Sequence, residues 1–136
     1  MISYSVDESG RILSLNYSRR VTRQEVDDLL DTCRNHLDNL RPGFLMFSDL
    51  TNLESMDAAC AEGLGTIMEL LSERGISVVL RIIPDPSKDI GLNLISLFHY
   101  RKPVRVHTLA NVAEALKVLL DEAPSLQPSE VQPSGS

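Results

Sequence analysis

The sequence predicts an α/β sandwich: one mixed, mostly parallel sheet with helices, in the order β-β-α-β-α-β-α-β-α. Three observations predict it. The chain opens on two stretches of alternating apolar and polar residues around a turn. An unbroken apolar run at Phe44-Leu45-Met46-Phe47 and a largely apolar one at Ile76–Ile83 then alternate with stretches of helical period. Capping and breaking residues fall at the boundaries between them. Strands alternating with helices imply parallel neighbours joined by right-handed crossovers, after an antiparallel start. No internal repeat is present.

In the first hairpin Ile2, Tyr4 and Val6 alternate with Ser3, Ser5 and Asp7. Asp7-Glu8-Ser9-Gly10 supplies turn chemistry, and Leu13, Leu15 and Tyr17 resume the alternation. Thr22-Arg23-Gln24-Glu25 has the form of a capping box, in which hydroxyl and carboxylate each satisfy a free backbone N–H. The helix it opens carries Val26, Leu29, Leu30, Cys33, Leu37 and Leu40 on one stripe, up to Pro42-Gly43. Phe44 to Phe47 shows no alternation, as expected of a strand covered on both faces. A second helix places Leu64, Ile67, Met68 and Leu71 inward and ends at Gly75, a natural C-cap. After the strand at Ile76, Pro84-Asp85-Pro86 breaks the chain and Ser87 caps a third helix bearing Ile90, Leu94, Ile95, Leu97 and Phe98. A short strand spans Val104 to Thr108, and a last helix, near Asn111 to Leu120, carries Val112, Leu116 and Leu119. Residues 1–122 form one domain in this reading. The segment 123–136, rich in Pro, Ser and Gln, is expected to be a disordered tail.

A length of 136 residues suffices for a core without disulfides or metal. The 13 Lys and Arg against 19 Asp and Glu leave a formal charge of −6, which argues against a nucleic-acid partner. Arg19-Arg20 with Arg23, and Arg101-Lys102 with Arg105, read as solvated rim clusters. The N-terminus has neither a basic region nor an apolar core of the secretory kind, and no apolar run approaches the ~20 residues of a membrane span. With only two cysteines, Cys33 and Cys60, a cytoplasmic, reducing location is expected.

The chemistry-bearing residues give little support to an enzyme. Cys33 and His36 are one helical turn apart, but Cys33 falls on the apolar stripe, where a free cysteine behaves as a small hydrophobe. Neither CxxC nor HxxxH spacing occurs, so no metal site is expected. Asp27-Asp28 belongs to a solvent face, and His99 and His107 are solitary. Gly63-x-Gly65 lacks the Lys or third Gly of a phosphate loop. Close packing against the sheet explains those glycines better. Cys60 falls near a helix N-terminus, a position that lowers a thiol pKa.

The stretch from Phe44 to Gly75 resembles the signature segment of STAS domains, the family of anti-anti-sigma factors and of sulfate-transporter cytoplasmic tails. In that family a strand ends in Asp-Leu-Ser/Thr and a helix opens with Asp-Ser-Ser/Thr-Gly, one of whose hydroxyls accepts a phosphate. Here Asp49-Leu50-Thr51 stands at the first position and Asp57-Ala58-Ala59-Cys60 at the second, with family spacing from Asp49 to Asp57 and on to Gly75. Val112-Ala113-Glu114-Ala115-Leu116 is similar to the family's closing helix. The resemblance covers roughly residues 2–120 and implies a STAS-like sandwich.

It also implies a function: a non-catalytic, cofactor-free module that binds a protein, such as a kinase-like anti-sigma factor. The phosphorylatable Ser/Thr is replaced by alanine, because Ala58 and Ala59 carry no oxygen. The implied contact surface is the exposed loop from Thr51 to Ala61 and the start of the second helix. Its residues are Asp49, Thr51, Asn52, Glu54, Ser55, Asp57, Ala58, Ala59 and Cys60. In it Asp57 caps or orients the loop, and Ser55 serves as a helix cap ahead of any role as phosphoacceptor. A second copy of the chain, meeting through the hairpin edge, is a candidate homodimer partner. The alternative is a receptor for a small apolar or anionic ligand or a lipid on a STAS- or CRAL-TRIO-like fold. Its pocket would be lined by the third helix with Phe98 and Tyr100.

Overall fold

The computed structural model describes residues 1–83 and 104–126. Its elements are β1 (Ile2–Val6), β2 (Ile12–Val21), α1 (Arg23–Asn35), β3 (Leu45–Met56), α2 (Cys60–Glu73), β4 (Val78–Ile82), β5 (Arg105–Leu109) and α3 (Val112–Leu126). They form one five-stranded sheet in the order β1-β2-β3-β4-β5. β1 and β2 are antiparallel, and every later pair is parallel. The mixed, mostly parallel α/β architecture expected from the sequence is therefore present. The expected third helix, with Ser87, Ile90, Leu94, Ile95, Leu97, Phe98 and Tyr100, lies outside the described residues.

Local chemistry accounts for the boundaries. The β1–β2 turn is organised by the Asp7 carboxylate, whose Oδ1 accepts from the N–H groups of Arg11 and Ile12, each at 2.8 Å. The Ser9 hydroxyl donates to its other oxygen. The capping box of α1 is formed: Glu25 N–H donates to Thr22 Oγ1, and Thr22 N–H donates to Glu25 Oε2, both at 3.4 Å. Helix α1 ends at Asn35, seven residues before the expected stop at Pro42. The Arg74 guanidinium takes the carbonyls freed there, donating to Leu37 O at 2.6 Å and Arg34 O at 3.3 Å. Leu37 and Leu40 stay buried in the turns that follow. Helix α2 closes in a Schellman motif. Gly75, at φ +98°, donates to Ser72 O, and Ile76 N–H reaches back to Leu71 O.

Two apolar clusters sit on opposite faces of the sheet. On one, Leu13, Leu15, Tyr17, Met46 and Val79 pack with Val26, Leu29 and Cys33 of α1 and Leu64, Ile67, Met68 and Leu71 of α2. On the other, Leu45, Val78 and Leu80 pack with Val118 and Leu119 of α3. Strands advancing one position at a time with crossovers of one hand deliver α1 and α2 to the same face. The two helices approach closely at Gly63, where a Cβ would stand 2.7 Å from Val26 Cγ1. The glycine thus serves the contact between the two helices, where the sequence suggested one with the sheet.

The largest departure from expectation is β3. It runs for 12 residues, past the strand end expected at Asp49, and continues as a strand through Thr51, Asn52, Glu54 and Ser55, which the sequence had suggested as loop. Only its first half, Leu45 to Asp49, pairs with β4, whereas β2 accompanies it to Met56. Register shifts between Asn16 and Ser18 and between Arg19 and Arg20 put extra β3 residues into the ladder. Leu50 and Leu53, both buried, are consequently three residues apart instead of two. Arg19, at φ +58°, absorbs the distortion on the β2 side. Helix α3 also extends to Leu126, into the first residues of the segment expected as a tail.

Candidate functional site

The junction of β3 and α2 consists of Asp57, Ala58 and Ala59 alone. The exposed loop expected from Thr51 to Ala61 is thus a strand end and a tight turn. Asp57 N–H donates to Val21 O at 3.1 Å, tying the turn to the end of β2, and Asp57 O accepts from Cys60 N–H at 2.9 Å. The N-cap position of α2 is Ala59, which offers no side-chain acceptor. Ser55 does not cap the helix. It lies on β3, exposed, opposite Arg20. Asp57 does not cap it either. Its carboxylate is held in a bidentate grip by Arg20, from Nε to Oδ1 at 3.0 Å and from Nη2 to Oδ2 at 3.1 Å. That fork fixes the entry to the helix from the neighbouring strand. Asp57 in turn pushes the Arg20 guanidinium pKa up through the hydrogen bonds and its charge.

The expected contact residues divide into three groups. Thr51, Asn52, Glu54, Ser55, Ala58 and Ala59 are exposed along the end of β3 and the turn. Asp49 and Asp57 are half-buried, and Asp49 Oδ1 accepts from the Thr51 N–H at 2.9 Å and the Thr51 hydroxyl at 2.5 Å. Cys60 leaves the surface entirely: it is 0% exposed, and its Sγ lies 3.6 Å from Val21 O. Burial pushes its thiol pKa up, and the Asp57 charge adds to the shift. The lowered pKa expected at a helix start is therefore absent, because desolvation in the core outweighs the helix end. Cys33 is likewise buried, and burial pushes its thiol up to about 11 although Arg74 opposes the shift. His36, expected as its neighbour, is the exposed C-cap of α1. Among the described residues no cluster of His, Cys, Asp and Glu could hold a metal ion.

A cleft of about 400 Å³ opens on the sheet face away from α1 and α2, lined by Ser3, Tyr4, Ser5, Ser14, Leu15, Asn16, Phe47 and Asp49. Strand alternation places Ser5, Ser14 and Phe47 in one row across three strands, and Ser3, Asn16 and Asp49 in the next. Hydroxyl, amide and carboxylate groups share its lining with Tyr4, Leu15 and Phe47. Arg20 is the residue of this junction that sequence reasoning missed. It read as a rim cation, and its partner lies 37 positions away with no local signal.

No known family model matches the chain, and no curated protein matches it. Solved structures do. A protein of the DUF3478 family from Shewanella loihica PV-4, described as having a SpoIIAA-like fold, superposes with a TM-score of 0.62 at 15% identity. The match covers 87% of this chain and 93% of that one. The anti-sigma factor antagonist SpoIIAA in its unphosphorylated form superposes with a TM-score of 0.54 at 12% identity, covering 88% of this chain and 98% of its own. The fold is therefore SpoIIAA-like, the STAS-like sandwich that the Phe44–Gly75 segment implied. Among the described residues no helix is long and apolar enough to cross a membrane.

Proposed function

We propose that the chain is a non-catalytic, cytoplasmic protein-binding module of the anti-sigma factor antagonist type that needs no dephosphorylation to bind. Its contact surface is the end of β3 and the start of α2: Asp49, Thr51, Asn52, Glu54, Ser55, Asp57, Ala58 and Ala59. The partner is a kinase-like anti-sigma factor. The observation that carries this reading is the exposure of Ala58 and Ala59 at the opening of α2 on a SpoIIAA-like fold. A phosphate would be welcome there electrostatically, at the positive end of a helix dipole. The side chains supply no oxygen to carry one, so the surface keeps the character of an unphosphorylated state. The Arg20–Asp57 pair supports the reading by holding the turn in one arrangement before any partner arrives.

Incubation with the kinase-like partner and ATP, followed by intact-mass measurement, tests it. The expected result is a stable complex with no phosphate added to the wild-type chain, and phosphate added to Ala59→Ser. Phosphorylation of the wild type, at Ser55 for example, would show that a switch survives. Absence of any complex would sink the reading.

The cleft beside Asp49 supports a second reading, a receptor for a small ligand. A molecule retained in native mass spectra and lost in Asp49→Ala would support it.

A further inference from the structure

We infer that β1 is a self-pairing edge, through which two copies of the chain join antiparallel about a two-fold axis at Tyr4. The hydrogen-bond phase of the β1–β2 ladder carries this inference. Ser18 N–H donates to Met1 O at 2.8 Å, and Asp7 N–H donates to Ile12 O at 3.1 Å. Both contacts belong to the register that sets Ser3 opposite Asn16 and Ser5 opposite Ser14. Hydrogen-bonded pairs recur at every second residue of an antiparallel ladder, so Ser3 and Ser5 direct their backbone groups toward β2. Ile2, Tyr4 and Val6 therefore direct their N–H and C=O groups outward. Among the described residues no strand lies beyond β1.

Natural edge strands are guarded by charges, proline or bulges. β1 is short but carries none of these: it reads Ile-Ser-Tyr-Ser-Val and pairs with β2 without a register shift. Its outward groups are also self-complementary. With Tyr4 opposite its copy, Ile2 falls opposite Val6, and every outward N–H meets an outward C=O. No other antiparallel register of β1 with itself satisfies all of them. The same arrangement sets side by side the side chains that are now partly exposed. Tyr4, 47% exposed, meets the second Tyr4 ring, and each Ile2 meets a Val6. A second copy is the occupant that satisfies edge and side chains together. The paired edge is one five-residue strand, so the association is weak. It does not involve the β3–α2 junction and does not depend on the function proposed for it.

Sedimentation equilibrium of the full chain, from about 10 µM to about 1 mM, tests the inference. Wild type is expected to show a reversible monomer–dimer equilibrium. Tyr4→Pro removes an outward N–H and the Tyr4 ring but none of the β1–β2 hydrogen bonds, so it should keep the wild-type circular dichroism and weaken dimerisation at least tenfold. Tyr4→Lys and Tyr4→Glu should each be monomeric, because each opposes like charges across the axis, and their equimolar mixture should dimerise again. If Tyr4→Pro misfolds, the Lys and Glu variants decide alone. A wild type that stays monomeric throughout overturns the inference. So does a dimer that persists in Tyr4→Lys, or a mixture that remains monomeric.

Discussion

Arg20 at the end of β2 and Asp57 at the entry to α2 form a two-pronged ion pair across 37 positions of chain, and this pair ties the β3–α2 junction to the neighbouring strand. The side chains are 68% and 32% exposed, so solvent screens the pair and its contribution to stability is modest. A double-mutant cycle with Arg20→Ala and Asp57→Ala should give a small favourable coupling in urea unfolding. Partner binding should respond more strongly than stability, because either change frees the turn carrying Ala58 and Ala59. Equal losses in both measurements would reduce the pair to a stability element.

At the other end of the sheet, the β1–β2 turn depends on the Asp7 carboxylate. Burial pushes its pKa up, but the hydrogen bonds from Ser9, Ile12 and Arg11 outweigh that and leave it below the usual value. A carboxyl lowered in the folded state contributes stability above its unfolded pKa, near 4, and loses it as pH falls through the folded value. Asp7→Asn should therefore flatten the acid limb of the stability profile measured by urea unfolding from about pH 5 to about pH 2. An unchanged acid limb would contradict this role.

Much of the fold was legible because its signals are local. The capping box at Thr22 and Glu25, the turn at Asp7 to Gly10 and the C-cap at Gly75 all involve residues within a few positions of one another. The second half of β3 was not legible, for a physical reason. Bulges against β2 changed the spacing of Leu50 and Leu53 from two to three, and the missing β4 partner left polar residues on a strand edge. The composition of Thr51 to Ser55 therefore resembles a loop. The site was half legible. The exposed alanines follow from the sequence, but the burial of Cys60 and the Arg20–Asp57 contact depend on pairing between distant segments.

Helices α1 and α2 meet at Gly63, and no side chain fits there. Gly63→Ala would gain about 1 kcal/mol of helix propensity, but its Cβ would stand 2.7 Å from Val26 Cγ1. Overpacking at this contact should prevail and leave the variant ~1–2 kcal/mol less stable in chemical denaturation. Combining it with Val26→Ala should cost less than the two single changes added together. Strict additivity would mean that the helices separate freely.

Both thiols should be silent in the folded protein. Cys33 and Cys60 are buried, and desolvation raises both thiol pKa values, that of Cys33 to about 11. An aromatic disulfide reagent at pH 7 should label neither without prior unfolding. A thiol raised in the folded state contributes stability below its unfolded value, near 9, and loses it as pH rises through about 11. The alkaline decline in stability should accordingly be shallower in Cys33→Ala. Rapid labelling of native Cys60 would place it at the surface and contradict its burial.

The proposed function makes the uncharged turn of Ala58 and Ala59 a permanently competent contact surface. Titration calorimetry of wild type and Ala59→Glu against the kinase-like anti-sigma partner tests it most directly. A glutamate at the start of α2 is compatible with the helix dipole, so the variant should keep its fold and its melting temperature. Its affinity should fall about tenfold or more, ~1.4 kcal/mol, because the new charge lies where the partner meets an uncharged surface. Equal affinity of the two proteins, with the fold unchanged, would contradict the claim and move the interface away from this junction.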